Sequence, residues 1–405
     1  METVGTTLAA SPRNLARPAS PCLAVIWIDW YAYHIARFRA LALHPALHNR
    51  VVGIELVGRG GVHEGLVFRD LQREELPITT LAREQSWRDV GQRRLAGLLW
   101  AHLNELGPDV VLVPGYYTLP AVASVVWAKL HGKRAVLMTE STRRDHLRRP
   151  IVEGLKRTLL RRFFDCAIAG GERQVSYLKE LGFDSPSIGR LYDVVDNEYF
   201  RQQSESFRLD GAPSGTLPEK YFLFVGRLAE EKNVDGLIRA FAAYRDRGGD
   251  WSLIVVGDGP TAGALRNQTE QLNLTGSVHF AGLKRASELG FYYAHAGCFI
   301  LPSWREPWGL VVNEAMAAKL PVILSDCCGC SDDLLEEGRN GYRFDPATEE
   351  ALPRLMSHVS RLSKGQRRQM GERSAGIIAR YSPELWAEEV VRIAGIRNTT
   401  NHCAR

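Results

Sequence analysis

The chain has 405 residues and a mass of 45.2 kDa, which is enough for two or three domains of ordinary size. Hydrophobic residues make up 45% and charged residues 24%, which argues against a disordered, collagen-like or coiled-coil protein. The net charge is only +5, so charge alone does not indicate a nucleic-acid-binding protein, and we predict no nucleic acid among its partners.

Targeting and redox signals point to the cytoplasm. The longest run without a charged residue, 110–128, contains Pro114-Gly115 and Pro120 and therefore does not resemble a transmembrane helix. Residues 1–20 are rich in Ser, Thr, Ala and Pro, lack an apolar signal core and are predicted to form a loose tail. Seven cysteines in a chain of this length indicate no disulfide framework.

In chain order, short apolar runs alternate with helical stretches. The strands predicted in the first half are Leu23–Ile28, Val51–Val57, Val110–Pro114, Ala135–Thr139 and Cys166–Gly170. Those predicted in the second half are Tyr221–Val225, Ser252–Val256, Val278–Ala281, Cys298–Leu301 and Val322–Ser325. The predicted helices include Val90–Glu105, Gln174–Leu181, Val234–Arg245 and Gly309–Lys319. Alternation of buried strands with helices predicts an α/β protein with parallel sheets.

A polar stretch with Ser, Gly and Pro separates the two series of strands. We therefore predict a first domain of 21–200, a linker of 201–219 and a second domain of 220–380. A helix of 381–396 and a tail of 397–405 complete the chain. Doubly wound domains bind ligands at the carboxyl ends of their strands, so a cleft between two facing domains is the expected site.

The first chemical motif follows the predicted strand Tyr221–Val225. Gly226 and Arg227 end that strand, and Lys232 follows five residues later, before a helix that begins near Asn233. Cations beside a strand end and a helix N-terminus suit a pyrophosphate, with Arg227 as a rigid fork of donors and Lys232 as a mobile charge. Solvated charge in a surface loop is the alternative.

The second motif is a pair of carboxylates, Glu306 and Glu314, around a predicted helix start at Gly309 and Leu310. The first N–H groups of a helix lack intrahelical partners and, with the helix dipole, suit a diphosphate. Glu314 lies roughly 7 Å along this helix, so the two acids can reach groups on opposite sides of a diphosphate. The alternative is an acid in the first turn and an acid on a solvated face.

The second half of the chain resembles the donor-binding domain of GT-B glycosyltransferases, specifically the retaining family 4, or glycosyl-transferases group 1. The resemblance extends over about 170 residues, from Tyr221 to Ala394. It rests on Val225-Gly-Arg227-Leu, Glu231-Lys232-Asn233, Val256-Gly-Asp-Gly-Pro260, Val278-His-Phe-Ala-Gly282, Leu301-Pro-Ser303, Glu306 through Glu314, Gly338-Arg-Asn-Gly341 and Tyr381-Ser382.

This resemblance implies a GT-B fold of two Rossmann-like domains facing across a cleft. Residues 21–200 would be the acceptor side and 220–380 the donor side, with the helix 381–396 crossing back to the first domain. The implied donor-binding residues are Gly226, Arg227, Lys232, Gly282, Leu283, Lys284, Glu306, Gly309, Leu310 and Glu314.

Their implied roles differ. Arg227 and Lys232 would hold the donor diphosphate, Glu306 the sugar hydroxyls and Glu314 the ribose, while the backbone of 282–284 would meet the base. Family members retain anomeric configuration and need no catalytic metal, and this sequence contains no Asp-X-Asp triple. The resemblance therefore implies no metal and no cofactor, with the nucleotide diphosphate sugar as co-substrate.

The first half departs from the family pattern, since it lacks the glycine-rich turn that members often have after the first strand. His34 and Arg37 are placed to face the cleft on the acceptor side, and structural helix residues are the alternative. Glu140 stands where many relatives carry a His near the reacting sugar. It is therefore the fourth candidate catalytic residue besides Glu306, Arg227 and Lys232, and an ordinary loop acid is the alternative.

The segment Arg143–Phe164 carries eight Lys or Arg against two acids. Within it, Val152, Leu155, Leu159 and Phe163 recur at helical spacing. A basic amphipathic helix of this kind can lie on an anionic membrane, which suits a lipid-linked acceptor and a peripheral position on the inner face of the cytoplasmic membrane. An ordinary surface helix whose apolar stripe packs into the core is the alternative.

Three further patterns need interpretation. The cysteines of 327–330 lack the partner pair expected of a metal site. Residues 257–262 match a dinucleotide fingerprint, but a proline interrupts the match and no acid ends the next strand. Trp304 and Trp308 flank Glu306 and either line a sugar or pack in the core.

The residues and the resemblance predict a retaining glycosyltransferase that moves a hexose from a UDP- or GDP-linked donor to a hydroxyl. The acceptor is a glycan or a lipid-linked glycan, and the expected role is in cell-surface polysaccharide synthesis. Two other classes stay open. A nucleotide-sugar isomerase or hydrolase on the same fold would turn over donor without acceptor, and a non-catalytic nucleotide-sugar-binding protein would show no activity for Glu306→Ala to abolish.

Overall fold

The computed structural model describes residues 22–47, 50–59, 75–145, 149–211 and 215–396. The predicted tails 1–20 and 397–405 lie outside the described residues. So do residues 146–148 of the basic segment and residues 212–214 of the predicted linker.

The first half of the chain forms a seven-stranded parallel sheet in the order β3-β2-β1-β4-β5-β6-β7. Its strands are β1 Leu23–Trp27, β2 Val51–Val57, β3 Ile78–Ala82, β4 Val110–Pro114, β5 Arg134–Thr139, β6 Cys166–Ala169 and β7 Ile188–Gly189. Its helices are α1 Ala32–Ala42, α2 Gln92–Leu106, α3 Leu119–Leu130, α4 Pro150–Phe163, α5 Glu172–Glu180 and α6 Asn197–Asp210.

The second half forms a six-stranded parallel sheet in the order β10-β9-β8-β11-β12-β13. Its strands are β8 Tyr221–Val225, β9 Ser252–Val256, β10 Val278–Gly282, β11 Cys298–Leu301, β12 Val322–Ser325 and β13 Gly341–Phe344. Its helices are α7 Val234–Asp246, α8 Ala262–Gln271, α9 Ala286–His295, α10 Leu310–Ala317, α11 Ser331–Leu334, α12 Ala351–Arg361, α13 Lys364–Ile378 and α14 Pro383–Ala394.

The predicted fold class, two doubly wound α/β domains, is confirmed. Every predicted strand is present, with ends that agree to within one residue, because most of these strands are apolar throughout and buried on both faces. The strands that sequence reasoning missed, β3, β7 and β13, each lie at an edge of a sheet. Edge strands carry less of the apolar signal, since one side of the strand has no neighbour in the sheet.

The predicted linker 201–219 is wrong over its first ten residues. Helix α6 continues to Asp210, with the Asp196 side chain accepting a hydrogen bond from the Tyr199 amide at 2.9 Å at its start. Arg208 near its end donates to the Ala294 carbonyl at 3.0 Å, which ties the helix to the second domain. Only Phe200 and Ser204 of this helix are buried, so its polar composition resembles that of a linker.

The last helix of the chain, α14, packs against the first domain. Trp386, Ala387 and Val390 are fully buried in the same core as Leu23 and Val25 of β1. A second contact comes from the side chain of Arg134, which donates to the Ala394 carbonyl at 2.7 Å. Within the described residues, none of the helices combines the length and the apolarity needed to cross a membrane.

Both sheets reverse their strand order at one point, between β1 and β4 in the first domain and between β8 and β11 in the second. Ligands of open parallel sheets bind at the carboxyl ends of the strands beside such a reversal. The loops that follow β8 and β11, and those that follow β1 and β5, carry the residues predicted to act in catalysis or binding. The candidate site is therefore the space between the carboxyl-end edges of the two sheets.

Candidate functional site

The loop after β8 is folded against the loop after β11. Residues 230–232 form a short 3₁₀ turn, and the carbonyl of Glu231 accepts hydrogen bonds from the amides of Trp304 at 2.9 Å and Arg305 at 3.3 Å. These backbone bonds fix the position of Lys232 relative to Glu306. Two motifs that are 74 residues apart in the sequence thus become a single site.

Lys232 and Glu306 form an ion pair, with Nζ of Lys232 donating to Oε2 of Glu306. Both side chains are largely buried, 20% and 8% exposed. Burial lowers the pKa of Lys232, but the Glu306 carboxylate outweighs this effect, and the net pKa lies above its ordinary value. Lys232 therefore stays protonated at the entrance of helix α10, where the adjacent Glu306 carboxylate holds it.

Arg227 lies on the outer side of this pair. Its side chain is 47% exposed, and Nη2 is 3.9 Å from Oε1 of Glu231. The Gly226 amide donates to the Val256 carbonyl at 3.0 Å, which continues the pairing of β8 with β9 up to this point. The strand end thus presents a solvent-accessible guanidinium, five residues before Lys232 in the chain, which is suitable for binding a diphosphate.

Helix α10 begins at Gly309 and Leu310, as the motif predicts. Gly309 has a φ of 103°, in the region that favours glycine, and a Cβ there would lie 2.9 Å from the Leu301 side chain. The first amides of α10 have no intrahelical acceptors, so they can bind an anion with the help of the helix dipole. Glu306 precedes this helix start directly and shares the site with Lys232.

Glu314 lies deeper than the motif suggests. It is completely buried, and its two oxygens accept hydrogen bonds from the hydroxyls of Tyr33, in the first domain, and Tyr293, the latter at 2.7 Å. Burial raises the pKa of Glu314 to about 7, although both phenols lower it. In this conformation no carboxylate oxygen is open to a ribose, and the ribose contact stays a prediction.

The backbone predicted to meet the base lies at the end of the edge strand β10. The Gly282 carbonyl accepts from the Gly257 amide at 2.8 Å, and the Leu283 side chain is exposed. Lys284 lies 3.5 Å from Glu288 and over the ring of Tyr292. This loop is open to solvent, and its contact with a base stays a prediction.

The expectation that Arg37 faces the cleft is wrong. Its guanidinium is 1% exposed, lies over the ring of Tyr192 and donates to the Tyr192 carbonyl at 2.6 Å. His34 stacks on Trp27 with ring centroids 4.5 Å apart, and burial lowers its pKa well below the ordinary value. The Arg37 side chain holds helix α1 against its own domain, so the structural alternative applies to it. His34 is only partly buried, and its place on the acceptor side stays a prediction.

Glu140 follows β5 and is exposed at the edge of the first sheet. Close to it lies a residue that sequence reasoning missed. Asp193 is completely buried, and neither of its side-chain oxygens has a hydrogen-bond partner among the described residues. Burial raises its pKa well above the ordinary value, and the carboxylates of Glu140 and Glu306 raise it further, whereas Arg37 lowers it. Three acids, Glu140, Asp193 and Glu306, therefore converge from both sides of the cleft.

The sequence feature that could have identified Asp193 is its place in an otherwise apolar run, 191–195, where an unpaired acid is unusual. Its position between the domains is visible only in three dimensions. Asn313 of α10 donates to the Asp193 carbonyl at 3.0 Å, and a Cβ on Gly170 would lie 2.2 Å from the Asp193 carboxylate.

The two domains contact each other beside this cluster. Arg173 of α5 donates to the Asp332 carboxylate at 2.6 Å and to the Asp326 and Cys328 carbonyls at 2.8 and 3.0 Å. Gln174 donates to the Pro307 carbonyl at 2.6 Å. These bonds place the loops that follow β11 and β12 directly against helix α5 of the first domain.

The remaining patterns have local structural explanations. Trp308 is 1% exposed and donates to Asn313, whereas Trp304 is 45% exposed beside the site. A Cβ on Gly257 would lie 1.9 Å from the Gly226 carbonyl, which explains the glycine without a dinucleotide. Cys328 and Cys330 are buried, and the described residues contain no group of three His, Cys, Asp or Glu side chains that could hold a metal.

Two parallel doubly wound sheets that face each other are the architecture of the GT-B fold. The crystal structure of Anabaena HepE in complex with UDP and glucose superimposes with a TM-score of 0.72 and 17% identity, covering 92% of this chain and 99% of HepE. Sucrose-phosphate synthase from Thermosynechococcus elongatus superimposes with a TM-score of 0.69 and 18% identity, over 92% and 97% of the two chains. At such identities the likeness concerns the fold.

Residues 212–376 match the family described as glycosyl transferases group 1. The second half of the chain thus matches this family, which confirms the resemblance drawn from its motifs. It is 31% identical to an exopolysaccharide phosphotransferase of Streptomyces coelicolor over 72% of this chain and 30% of that protein. It is 27% identical to the 2-deoxystreptamine glucosyltransferase of Streptomyces kanamyceticus over 71% and 70% of the two chains. The chain spans between 30% and 35% of the length of several such relatives.

Proposed function

We propose that this chain is a retaining glycosyltransferase of family 4 that moves a hexose from a UDP- or GDP-linked donor to an acceptor hydroxyl. The observation that carries the proposal is the Lys232–Glu306 pair at the start of α10, with Arg227 beside it. This arrangement offers two cations and free helix amides to a diphosphate, and a carboxylate to the sugar next to it.

The same arrangement explains how the reaction would proceed. The bond between the anomeric carbon and the diphosphate breaks, and negative charge develops on the leaving phosphate. Arg227, Lys232 and the first amides of α10 stabilise that charge, which is the part a metal ion plays in other enzymes. The donor is then a co-substrate that needs neither metal nor cofactor.

The acceptor would enter from the first domain. Glu140 is exposed on that side of the cleft and would bind the acceptor hydroxyl or the donor sugar. Related proteins include the 2-deoxystreptamine glucosyltransferase and an α-monoglucosyldiacylglycerol synthase of Acholeplasma laidlawii, whose names indicate a hydrophilic and a lipid acceptor. We propose a glycan or lipid-linked glycan acceptor in cell-surface polysaccharide synthesis.

The structure supports a membrane partner for the basic segment. Helix α4 buries only Leu160, and the stripe residues Val152, Leu155 and Leu159 are exposed. Phe163, the fourth residue of the stripe, packs against the core of the first domain, so the alternative applies to that residue. We propose that α4 lies on an anionic membrane, with the protein peripheral on the cytoplasmic face.

The first experiment measures thermal unfolding with UDP, GDP and ADP in the presence of a chelator. A nucleotide at a hundredfold excess over Kd stabilises the folded state by about 2.7 kcal/mol. We expect one nucleotide to stabilise wild type but not Arg227→Ala, with Arg239→Ala, an exposed arginine paired to Asp235 on α7, as the matched control.

The second experiment follows turnover of the sugar nucleotide that carries the binding base. Acceptor-dependent transfer with the anomeric configuration retained supports the proposal. Hydrolysis or isomerisation at the same rate without acceptor would replace it with the other enzyme class. Absence of stabilisation by all three nucleotides would contradict the donor site itself.

A further inference from the structure

An apolar cavity of about 290 Å³ lies between helices α3 and α4 of the first domain. Nine of the ten side chains around it are hydrophobic, and the tenth is that of Lys156. Val122 and Val125 border it from α3, and Leu159 and Phe163 from α4. A concave, almost wholly apolar site of this size is suited to a hydrocarbon group rather than to a sugar.

The cavity continues into an apolar surface that no described residue covers. Ile151 is 88% exposed and Leu155 59% exposed, and both lie on the same helix as the cavity-lining Leu159. Tyr117, just before α3, and Leu119, the first residue of α3, are also exposed. A contiguous apolar surface next to a cavity is the feature expected where an amphiphilic ligand binds.

Positive charge lies at one side of this surface. Lys156 borders the cavity, 2.9 Å from Glu153, and Arg162 is exposed further along α4, whereas Arg157 and Arg161 lie beside Gly182. Cations next to an apolar site complement a ligand that has a hydrocarbon chain and an anionic head. A neutral or cationic amphiphile would gain nothing from this charge.

The loop 115–118 lies between the cavity and the candidate site. Tyr116 borders the cavity, and its neighbour Tyr117 lies close to Glu140. Desolvation raises the pKa of Tyr117, and the nearby Glu140 carboxylate raises it further. The loop 115–118 therefore separates the cavity from the acid that we place on the acceptor side.

We propose that the α3–α4 cavity binds the hydrocarbon chain of the acceptor, which is a lipid with an anionic head group. The chain would lie between α3 and α4, the head would pass Lys156, and the reacting hydroxyl would reach Glu140. This inference rests on the proposed function, because it assigns a chemical class to the acceptor of the same site. It adds a binding site that the donor-binding residues do not include.

The test uses dodecyl phosphate and butyl phosphate below their micelle concentrations, with binding to the full chain measured by calorimetry. The two probes share a head group and differ in chain length. Burial of about four extra methylenes corresponds to roughly 200-fold in affinity. We expect dodecyl phosphate to bind at least tenfold more tightly than butyl phosphate.

Val122→Trp fills the cavity from a partly exposed position, and Leu130→Trp is the matched control at the exposed far end of the same helix. Val122→Trp should bind dodecyl phosphate at least tenfold more weakly than wild type, and Leu130→Trp should bind it as tightly as wild type. Leu159→Asn, which makes the opposite wall polar without adding volume, should also bind dodecyl phosphate more weakly. Stabilisation by the donor nucleotide, unchanged in all three variants, verifies their fold.

Each outcome bears on the inference. Equal affinities of the two probes, or full dodecyl phosphate binding by Val122→Trp and Leu159→Asn, would overturn it while leaving the donor site intact. Chain-dependent binding that Val122→Trp removes would support it. If that binding is present but no nucleotide binds, the proposed function fails and the lipid-chain site remains.

Discussion

Tyr33 of the first domain donates a hydrogen bond to Glu314 of the second, 281 residues further along the chain. The other carboxylate oxygen of Glu314 accepts from Tyr293 at 2.7 Å. The acid that the family resemblance assigns to the ribose is thus fully bonded, and one partner comes from across the cleft. A nucleotide that uses this acid must first displace the Tyr33 hydroxyl.

We therefore expect Tyr33→Phe to tighten binding of the donor nucleotide by about tenfold, since the ribose no longer competes with a phenol for a charged acceptor. Titration calorimetry with the nucleotide found by thermal unfolding measures this change. Tyr221→Phe is the matched control, because Tyr221 is a buried tyrosine of the second domain whose hydroxyl donates to the Tyr292 carbonyl and not to Glu314. Weaker binding by Tyr33→Phe would show instead that Tyr33 itself contacts the nucleotide.

The titration of Glu314 makes the stability of the fold depend on pH. Burial raises its pKa to about 7 from an ordinary value of 4.5, which corresponds to on the order of 3 kcal/mol. Because the folded pKa is the higher one, this contribution is complete below pH 4.5 and is lost as the pH rises through 7. Glu314→Gln should remove that dependence between pH 5 and pH 8.

Urea unfolding at the two pH values measures this difference for wild type and variant. Glu270→Gln, at an exposed position of α8, is the control and should follow wild type. An equal loss of stability in Glu314→Gln and wild type would place the titrating group elsewhere.

The contribution of Asp193 to the stability of the fold should depend on pH with the same sign as that of Glu314. Burial, followed by the carboxylate of Glu140, raises its pKa, so its contribution to stability falls as the pH rises through that raised value. We expect Asp193→Asn to be more stable than wild type by about 1–3 kcal/mol at pH 8, with the gain shrinking towards pH 4. Glu140→Gln should reduce the effect, since it removes one of the acids near Asp193. A variant less stable than wild type at pH 8 would contradict this account.

The Lys232–Glu306 pair should contribute more to nucleotide binding than to the free energy of unfolding. Lys232→Met leaves the Glu306 carboxylate largely buried without its cation, at a cost of about 3 kcal/mol. The double variant Lys232→Met/Glu306→Gln should recover most of that stability but bind no nucleotide. Chemical unfolding and calorimetry measure the two effects separately. Normal nucleotide binding by the double variant would remove this pair from the donor site.

Arg173 should control the separation of the two domains. Its side chain makes hydrogen bonds to Asp332, Ser331 and two carbonyls of the second domain. Arg173→Ala should therefore increase the radius of gyration measured by small-angle X-ray scattering without nucleotide. Arg239→Ala, which loses only a surface pair with Asp235 on the same helix, is the control.

Local patterns were sufficient to predict most of the architecture. Buried parallel strands such as Tyr221–Val225 have an apolar run of their own, and glycine at 309 is required by the backbone where α10 begins. The cation and acid motifs around Lys232 and Glu306 lie in loops that follow such strands, so topology brings them to one edge of one sheet. These predictions concern neighbours in sequence or in strand order.

Contacts between the two domains cannot be predicted from neighbours in sequence or in strand order. Whether Arg37 faces the cleft or the core, and whether Glu314 is open or bonded to Tyr33, depend on groups more than a hundred residues away. The same holds for α4, because its periodicity does not show whether its apolar stripe is exposed or lies in the core. Periodicity and strand order specify which residues reach the cleft edge, whereas side-chain burial and pairing across the cleft arise from the packing of complete domains.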